Sequence, residues 1–234
     1  MSPASGLVLR GVTAPLRLAD YRLIAFDMDS TLISIECVDE IAAMAGRKAE
    51  VAAITEAAMR GEIVDYKESL RRRVAMLAGV TAADLERVYT ARLRLNPGVE
   101  RFVAVCRGAG LHTLLVSGGF TFFSDRVRDR LQIDETRSNV LEIENGSLTG
   151  RMVDQPWGDI CDGEEKRRAV LQSCARLGIE PGQAIAVGDG ANDLPMMRAV
   201  GLSIAFHAKP AVRAEANISI EEGGLDRALE VLLV

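Results

Sequence analysis

The spacing of apolar and polar positions divides the chain into two textures. Residues 23–26 are an apolar run, Leu-Ile-Ala-Phe, that stops at Asp27, with Asp29 two positions on and hydroxyls at Ser30 and Thr31. A run bounded in this way predicts a buried parallel strand whose C-terminal end opens into a polar site. From 36 to 94 the texture is helical: Ala, Met, Glu, Arg and Lys dominate, and strand-like alternation is absent. Val38, Ile41, Ala42 and Ala45 share one helical face, with Gly46 as a stop. Residues 51–59 predict a second helix ending near Gly61, and 66–77 a third ending near Gly79. Thr81-Ala82-Ala83-Asp84 is an N-cap for a fourth, with Asp in place of Glu at the third helical position. Asn96-Pro97-Gly98 is a turn signal that marks a return to the main domain.

Alternating α and β texture then resumes. Helices are predicted over 99–108, 122–131, 163–177 and 194–199, and strands over 111–116, 184–187 and 202–206. Residues 139–153 predict a hairpin: 140–144, a turn at Asn145-Gly146, then 148–153. Strands separated by helices imply an α/β fold, a parallel sheet with right-handed crossovers and helices on its faces. The expected organisation is a discontinuous core, 1–32 and 97–234, with a small helical-bundle module over 33–96 inserted after the first strand. Three apolar strands end in functional-looking residues: Asp27 and Asp29, Ser117, and Asp189. Parallel strands bring such ends to one edge, so the Asp27 strand is placed centrally between the other two, at a topological switch point. Residues before Tyr21 either add a short edge strand or remain a loose arm.

Composition narrows the function classes. The chain has 234 residues, 48% hydrophobic and 26% charged, an ordinary globular make-up for one large domain or a domain with an insertion. A net charge of −5, a pI near 5.3 and 4% aromatic residues argue against a nucleic-acid surface. Cys37, Cys106, Cys161 and Cys174 share no metal-like spacing and read as apolar fillers or surface thiols in a reducing compartment. No apolar run approaches the ~18 residues of a membrane span. Arginines interrupt the N-terminal stretch, so no signal peptide is expected. The expectation is a cytoplasmic protein without membrane or nucleic-acid partners.

The acids then suggest a chemistry. Carboxylates as close as Asp27 and Asp29 repel unless a cation offsets them, and Mg²⁺ is typically held by one or two carboxylates plus substrate phosphate. Asp27 is read as the nucleophile on a phosphoryl group. Asp189 and an oxygen near Asp29 would complete the protein's share of the Mg²⁺ ligands. Lys166 is the fixed cation, and Thr31, Ser117 and backbone N–H groups near Met28 and Gly118 are donors to phosphoryl oxygens. Asp29 is placed to protonate the leaving oxygen and then activate water. Each signal alone has a plainer reading. Asp-x-Asp-Ser-Thr is commonly a surface turn, Ser117-Gly118-Gly119 a strand-to-helix turn, and Lys166 competes with Arg167 and Arg168. The glycine and acid spacing of a calcium loop is absent around Asp189 and Asp193. His112 and His207 read as structural, and Trp157 as packing the end of the hairpin.

Taken in order, Asp27-Met28-Asp29-Ser30-Thr31, Ser117-Gly118, Lys166 and Gly188-Asp189-Gly190-Ala191-Asn192-Asp193 resemble the motifs of the haloacid-dehalogenase-like phosphatases. The helical insert resembles the small cap of that superfamily. Glu36, the stretch from Tyr66 to Arg73 and Ser117-Gly-Gly-Phe120 are similar to its phosphoserine-hydrolysing family. The resemblance implies Mg²⁺-dependent hydrolysis of phosphoserine through an aspartyl phosphate, the last step of serine biosynthesis. It implies Asp27 as nucleophile, Asp29 as acid and base, and Mg²⁺ on Asp27, the Asp29 carbonyl and Asp189, supported by Asp193. Ser117, Gly118, Lys166 and Asn192 would hold phosphate or substrate, Glu36 and Arg73 the amino-acid end, and Met59 would be an apolar wall. An acid and an arginine match the ammonium and carboxylate of phosphoserine. Another small phosphomonoester, or transfer to an acceptor alcohol, is the alternative. Met28 and Tyr66 stand where the resembled enzymes commonly carry Phe. Only a short stretch precedes Leu23, so control through a preceding amino-acid-sensing domain is not expected.

Overall fold

The computed structural model describes residues 6–59 and 65–234, with side chains for all of these except 56–59. In chain order its strands and helices begin with β1 (Leu7–Leu9), β2 (Leu16–Arg17) and β3 (Leu23–Phe26). Four helices follow: α1 (Cys37–Met44), α2 (Lys48–Met59), α3 (Tyr66–Ala75) and α4 (Ala82–Ala91). Then come α5 (Val99–Gly108), β4 (His112–Phe120), α6 (Thr121–Leu131), β5 (Glu135–Glu144), β6 (Ser147–Val153) and α7 (Gly163–Leu177). The chain ends with β7 (Ala184–Gly188), α8 (Leu194–Met197), β8 (Leu202–Phe206), α9 (Pro210–Glu215), β9 (Ile218–Ile220) and β10 (Leu232–Leu233).

One sheet of eight strands runs β1-β9-β8-β7-β3-β4-β5-β6, and β10 and β2 form a separate pair. Pairing from β9 through β5 is parallel, while β1 and β6 close the two edges antiparallel. The fold is the α/β class that the apolar pattern predicts. β3 lies between β7 and β4, and its four residues are all fully buried. Side chains alternate across a strand, so Ile24 and Phe26 join one core while Leu23 and Ala25 join the other. On the first face Phe26 meets Phe102 of α5 edge to face, with ring centroids 6.2 Å apart. On the second, Ala169, Val170 and Cys174 of α7 and Met196 of α8 cover the sheet. Burial on both faces leaves β3 one opening, at its C-terminal end.

The helices α1 to α4 bury Ile41, Ala42, Val51, Leu70, Val74, Leu85 and Val88 in the first core. Their two connections to the sheet are tied together. Ser34 N–H donates to the Arg94 carbonyl at 2.9 Å and Asn96 N–H to the Leu32 carbonyl at 2.9 Å. Asn96 Nδ2 also donates to the carbonyls of Ser30, Thr31 and Ile33 at 3.2, 2.9 and 3.1 Å.

Several expectations shift in detail. The strand predicted to stop at Val116 continues through Ser117-Gly118-Gly119 to Phe120, with a change of register against β5 between Val116 and Phe120. The hairpin's first strand starts at Glu135 rather than at 140, because it first extends the main sheet beside β4 and only then turns into β6. The N-terminal segment supplies an edge strand, β1. All four cysteines are buried and free, so they act as fillers rather than surface thiols. Trp157 packs at the second core, where Arg168 donates to its carbonyl at 2.6 Å. Among the described residues, no helix is long and apolar enough to cross a membrane.

Candidate active site

Asp27 is the first residue past β3, and Asp189 the first past β7. Adjacent parallel strands therefore place the two carboxylates side by side. Asp193 joins them from the turn that follows β7, and carboxylate oxygens of Asp27, Asp189 and Asp193 all lie within 4.8 Å of one another. Lys166 reaches the same point from the first turns of α7. It is fully buried, and its Nζ donates to Asp27 Oδ1 at 2.6 Å and to Asp193 Oδ1 at 2.7 Å. A buried ammonium persists only if paired. Burial disfavours its charge, but Asp193 and Asp27 overcome that and raise its pKa well above the ordinary lysine value.

The loop after β3 is wound tightly. Thr31, Leu32 and Ile33 N–H groups all donate to the Met28 carbonyl, at 3.2, 2.9 and 3.0 Å, and Ser30 takes a left-handed φ of 57°. Thr31 Oγ1 is thereby delivered to Asp189 Oδ1 at 2.8 Å, so this hydroxyl supports an acid rather than facing the cleft. Asp29 Oδ2 accepts the Cys37 N–H at 3.2 Å from the start of α1, while its Oδ1 is buried with no partner among the described residues. Burial, with Glu36 nearby, pushes the Asp29 carboxyl up to about 7. Burial, with Asp193, pushes Asp189 up to about 6. Asp27 is raised well above its usual value by burial and Asp193, against the pull of Lys166. A cation placed among these acids would oppose all three shifts.

A cleft of about 490 Å³ opens above the acids. Of the residues singled out by sequence, Asp27, Asp29, Glu36, Arg73, Ser117, Gly118, Asp189 and Asn192 line it. Lys166 and Asp193 lie beneath them, fully buried. The side chain of Met59 lies outside the described residues. Ser117 Oγ accepts the Gly119 N–H at 2.9 Å, and the Gly118 carbonyl accepts Asn139 Nδ2 at 2.8 Å, which fixes the end of β4. Asp193 Oδ2 accepts the N–H groups of Asp189 and Gly190, each at 3.0 Å. Both its oxygens are therefore already engaged. Glu36 precedes the first residue of α1 without a side-chain bond to its N–H groups and accepts Ser30 Oγ at 2.7 Å, and Arg73 stands in the last turn of α3 facing the same cleft.

Sequence reasoning passed over Asp39 and Lys209, noted Tyr66 only as standing where Phe is common, and passed over Asn96 as a tie. The first three line the cleft. Only Asp39 carried a signal, its place one helical turn after Glu36.

A family model described as haloacid dehalogenase-like hydrolase matches residues 24–198. The chain belongs to the haloacid dehalogenase-like hydrolases. This hydrolase is 71% identical over 228 residues to a phosphoserine phosphatase of Albidiferax ferrireducens, covering 97% of this chain and 96% of that one. It is 70% identical over 227 residues to a phosphoserine phosphatase of a Polaromonas species, with 97% and 96% covered. The solved phospho-aspartyl intermediate analogue of a phosphoserine phosphatase superposes on this hydrolase with a TM-score of 0.82 at 34% identity, covering 91% of this chain and 99% of that one.

Proposed function

We propose that this hydrolase cleaves O-phosphoserine to serine and phosphate through an aspartyl phosphate on Asp27, with Mg²⁺ as cofactor. One observation carries the reading. A strand-end carboxylate is fixed by a buried lysine at the floor of a cleft whose other wall offers an arginine and a glutamate. The phosphoserine phosphatases at 70–71% identity support the choice of substrate.

The donor set suits Mg²⁺, because the clustered groups are hard carboxylate oxygens. Asp27 and Asp189 would hold the ion with the Asp29 carbonyl. Asp193, both of whose oxygens accept other donors, would support them. Bound there, Mg²⁺ would offset the negative charge that gathers as phosphate meets the acids. Lys166 holds Asp27 in place and lends its positive charge to the phosphoryl oxygens. An Asp27 oxygen forms the bond to phosphorus as the bond to the serine oxygen breaks. Asp29, whose buried Oδ1 has no partner among the described residues, gives its proton to that oxygen. As a carboxylate it then takes a proton from water, whose oxygen attacks phosphorus and frees Asp27. Arg73 grips the substrate carboxylate and Glu36 its ammonium, while Ser117, Gly118 and Asn192 orient the phosphoryl group.

Phosphate release from phosphoserine tests this reading. Turnover should need added Mg²⁺ after chelation, and Asp27→Asn should abolish it, because an amide does not accept the phosphoryl group. Mass spectrometry of a quenched reaction should find the phosphoryl group on Asp27. Turnover by Asp27→Asn, or an adduct at another residue, would overturn the assignment.

A further inference from the structure

Two residues that line the cleft each carry an unpaired polar atom, and the two atoms are of opposite character. Asp39 Oδ1 and Arg73 Nε are buried, and neither has a hydrogen-bond partner among the described residues. Both side chains line the cleft, and they come from different helices, Asp39 from the first turn of α1 and Arg73 from the last turn of α3. A buried acceptor and a buried donor left without partners each cost free energy until something supplies the missing bond. A ligand carrying both an ammonium and a carboxylate satisfies both at once.

Glu36 alone is a poor match for an ammonium. That group has three N–H donors, whereas Glu36 is exposed and its Oε1 already accepts Ser30 Oγ at 2.7 Å. Asp39 follows Glu36 by three positions, which puts both carboxylates on one face of the helix start. Resting on the phosphoserine reading, we propose that Asp39 shares the substrate's ammonium with Glu36 and sets the preference for an amino-acid phosphate ester. An ester without the ammonium leaves Asp39 unpaired, and a site built to bond a polar group rejects the analogue that lacks it. The plainer role for Asp39 is its charge in the first turn of α1, favourable toward the helix dipole. Loss of that role would weaken every substrate alike.

The test compares kcat/KM for O-phosphoserine with that for 3-(phosphonooxy)propanoate, which keeps the phosphoryl and carboxylate groups and lacks the ammonium. Wild-type enzyme that prefers phosphoserine supports the substrate reading; equal rates would overturn that reading before any variant is made. In Asp39→Asn the preference should fall by about tenfold or more, chiefly through KM for phosphoserine, as expected for a lost hydrogen bond to a charged group. Asp39→Glu should recover part of it. Should Asp39→Asn not fold, Asp39→Ser, which keeps a residue suited to a helix start, gives the same readout. A preference unchanged in the variant, or a parallel loss on both esters, would overturn the role of Asp39 while leaving the substrate reading intact.

Discussion

Gly118 has no room for a side chain. A Cβ there would strike the hydroxyl of Tyr66 and lie 3.4 Å from the Cys161 carbonyl. Without that hydroxyl, the nearest Tyr66 atom would be the ring carbon that bore it, also at 3.4 Å, an ordinary contact. Gly118→Ala should therefore destabilise the protein by about 1–3 kcal/mol, the usual cost of overpacking. Adding Tyr66→Phe should restore most of the loss, because the clash is with one oxygen. Urea unfolding of both single variants and the double variant measures this, and strictly additive effects would show that the strain lies elsewhere. The contrast between these residues also explains what could be read from sequence. Asp27 and Asp189 each interrupt an apolar run, so their places at strand ends follow from the pattern alone, whereas Ser117, which also interrupts one, lies inside β4 rather than at its end. Tyr66 and Asp39 lie within helical texture. There an aromatic looks like core and an acid like a solvated face, and only the packing of α1 and α3 over the strand ends turns them inward.

Among elements, α4 is the one whose start was written most openly. Thr81 Oγ1 accepts the Asp84 N–H at 3.2 Å, and Asp84 Oδ2 accepts the Thr81 N–H at 3.0 Å, a reciprocal cap made with Asp in place of Glu. The Thr81 hydroxyl and N–H hold the Asp84 carboxyl below its usual value. A depressed value means that the cap's stabilisation is complete above the ordinary carboxylate pKa and fades as pH falls through the lowered one. Asp84→Ala should cost about 0.5–1 kcal/mol at neutral pH, and thermal unfolding of variant and parent should converge only as the pH falls below the ordinary carboxylate range. A gap that persists in acid would mean the cap works without the charge. Strands β4 and β5 were harder to read, for a physical reason. Ser117-Gly118-Gly119 has turn composition yet stays in the sheet, since Asn139 Nδ2 holds the Gly118 carbonyl at 2.8 Å. The start of β5 is polar because its neighbour is polar. Arg137 Nη1 donates to the buried Glu165 of α7 at 2.7 Å, and Glu135 pairs with Arg176. Such partners lie tens of residues away, beyond the reach of a local period.

In the whole molecule, the helices α1 to α4 are fastened to the sheet side at a place that matters for turnover. Lys67 of α3 pairs with Asp159 at 2.8 Å and lies 3.7 Å from Asp162, and Arg71 also pairs with Asp159. Asp162 caps α7 by accepting the Glu165 N–H at 2.8 Å, so the same short segment receives the helical module and starts the helix that carries Lys166. The Lys67 and Asp159 side chains are 32% and 38% exposed, which makes the pair weak as a contribution to folding, about 0–1 kcal/mol. The same energy acts differently on an equilibrium between open and closed clefts. There 1 kcal/mol changes the population ratio about fivefold, and on the proposed function the helices α1 to α4 would open to admit substrate and release product. Asp159→Asn should leave the unfolding midpoint nearly unchanged while raising KM for phosphoserine up to a few fold. Salt screens exposed pairs, so in the parent KM should rise with ionic strength. Part of that rise reflects screening of the substrate's own charges, which parent and variant share. The signature is therefore the difference in slope: in Asp159→Asn, KM should start high and climb less steeply with salt. Parallel salt curves would mean that the pairs between α3 and this segment take no part in closing the cleft.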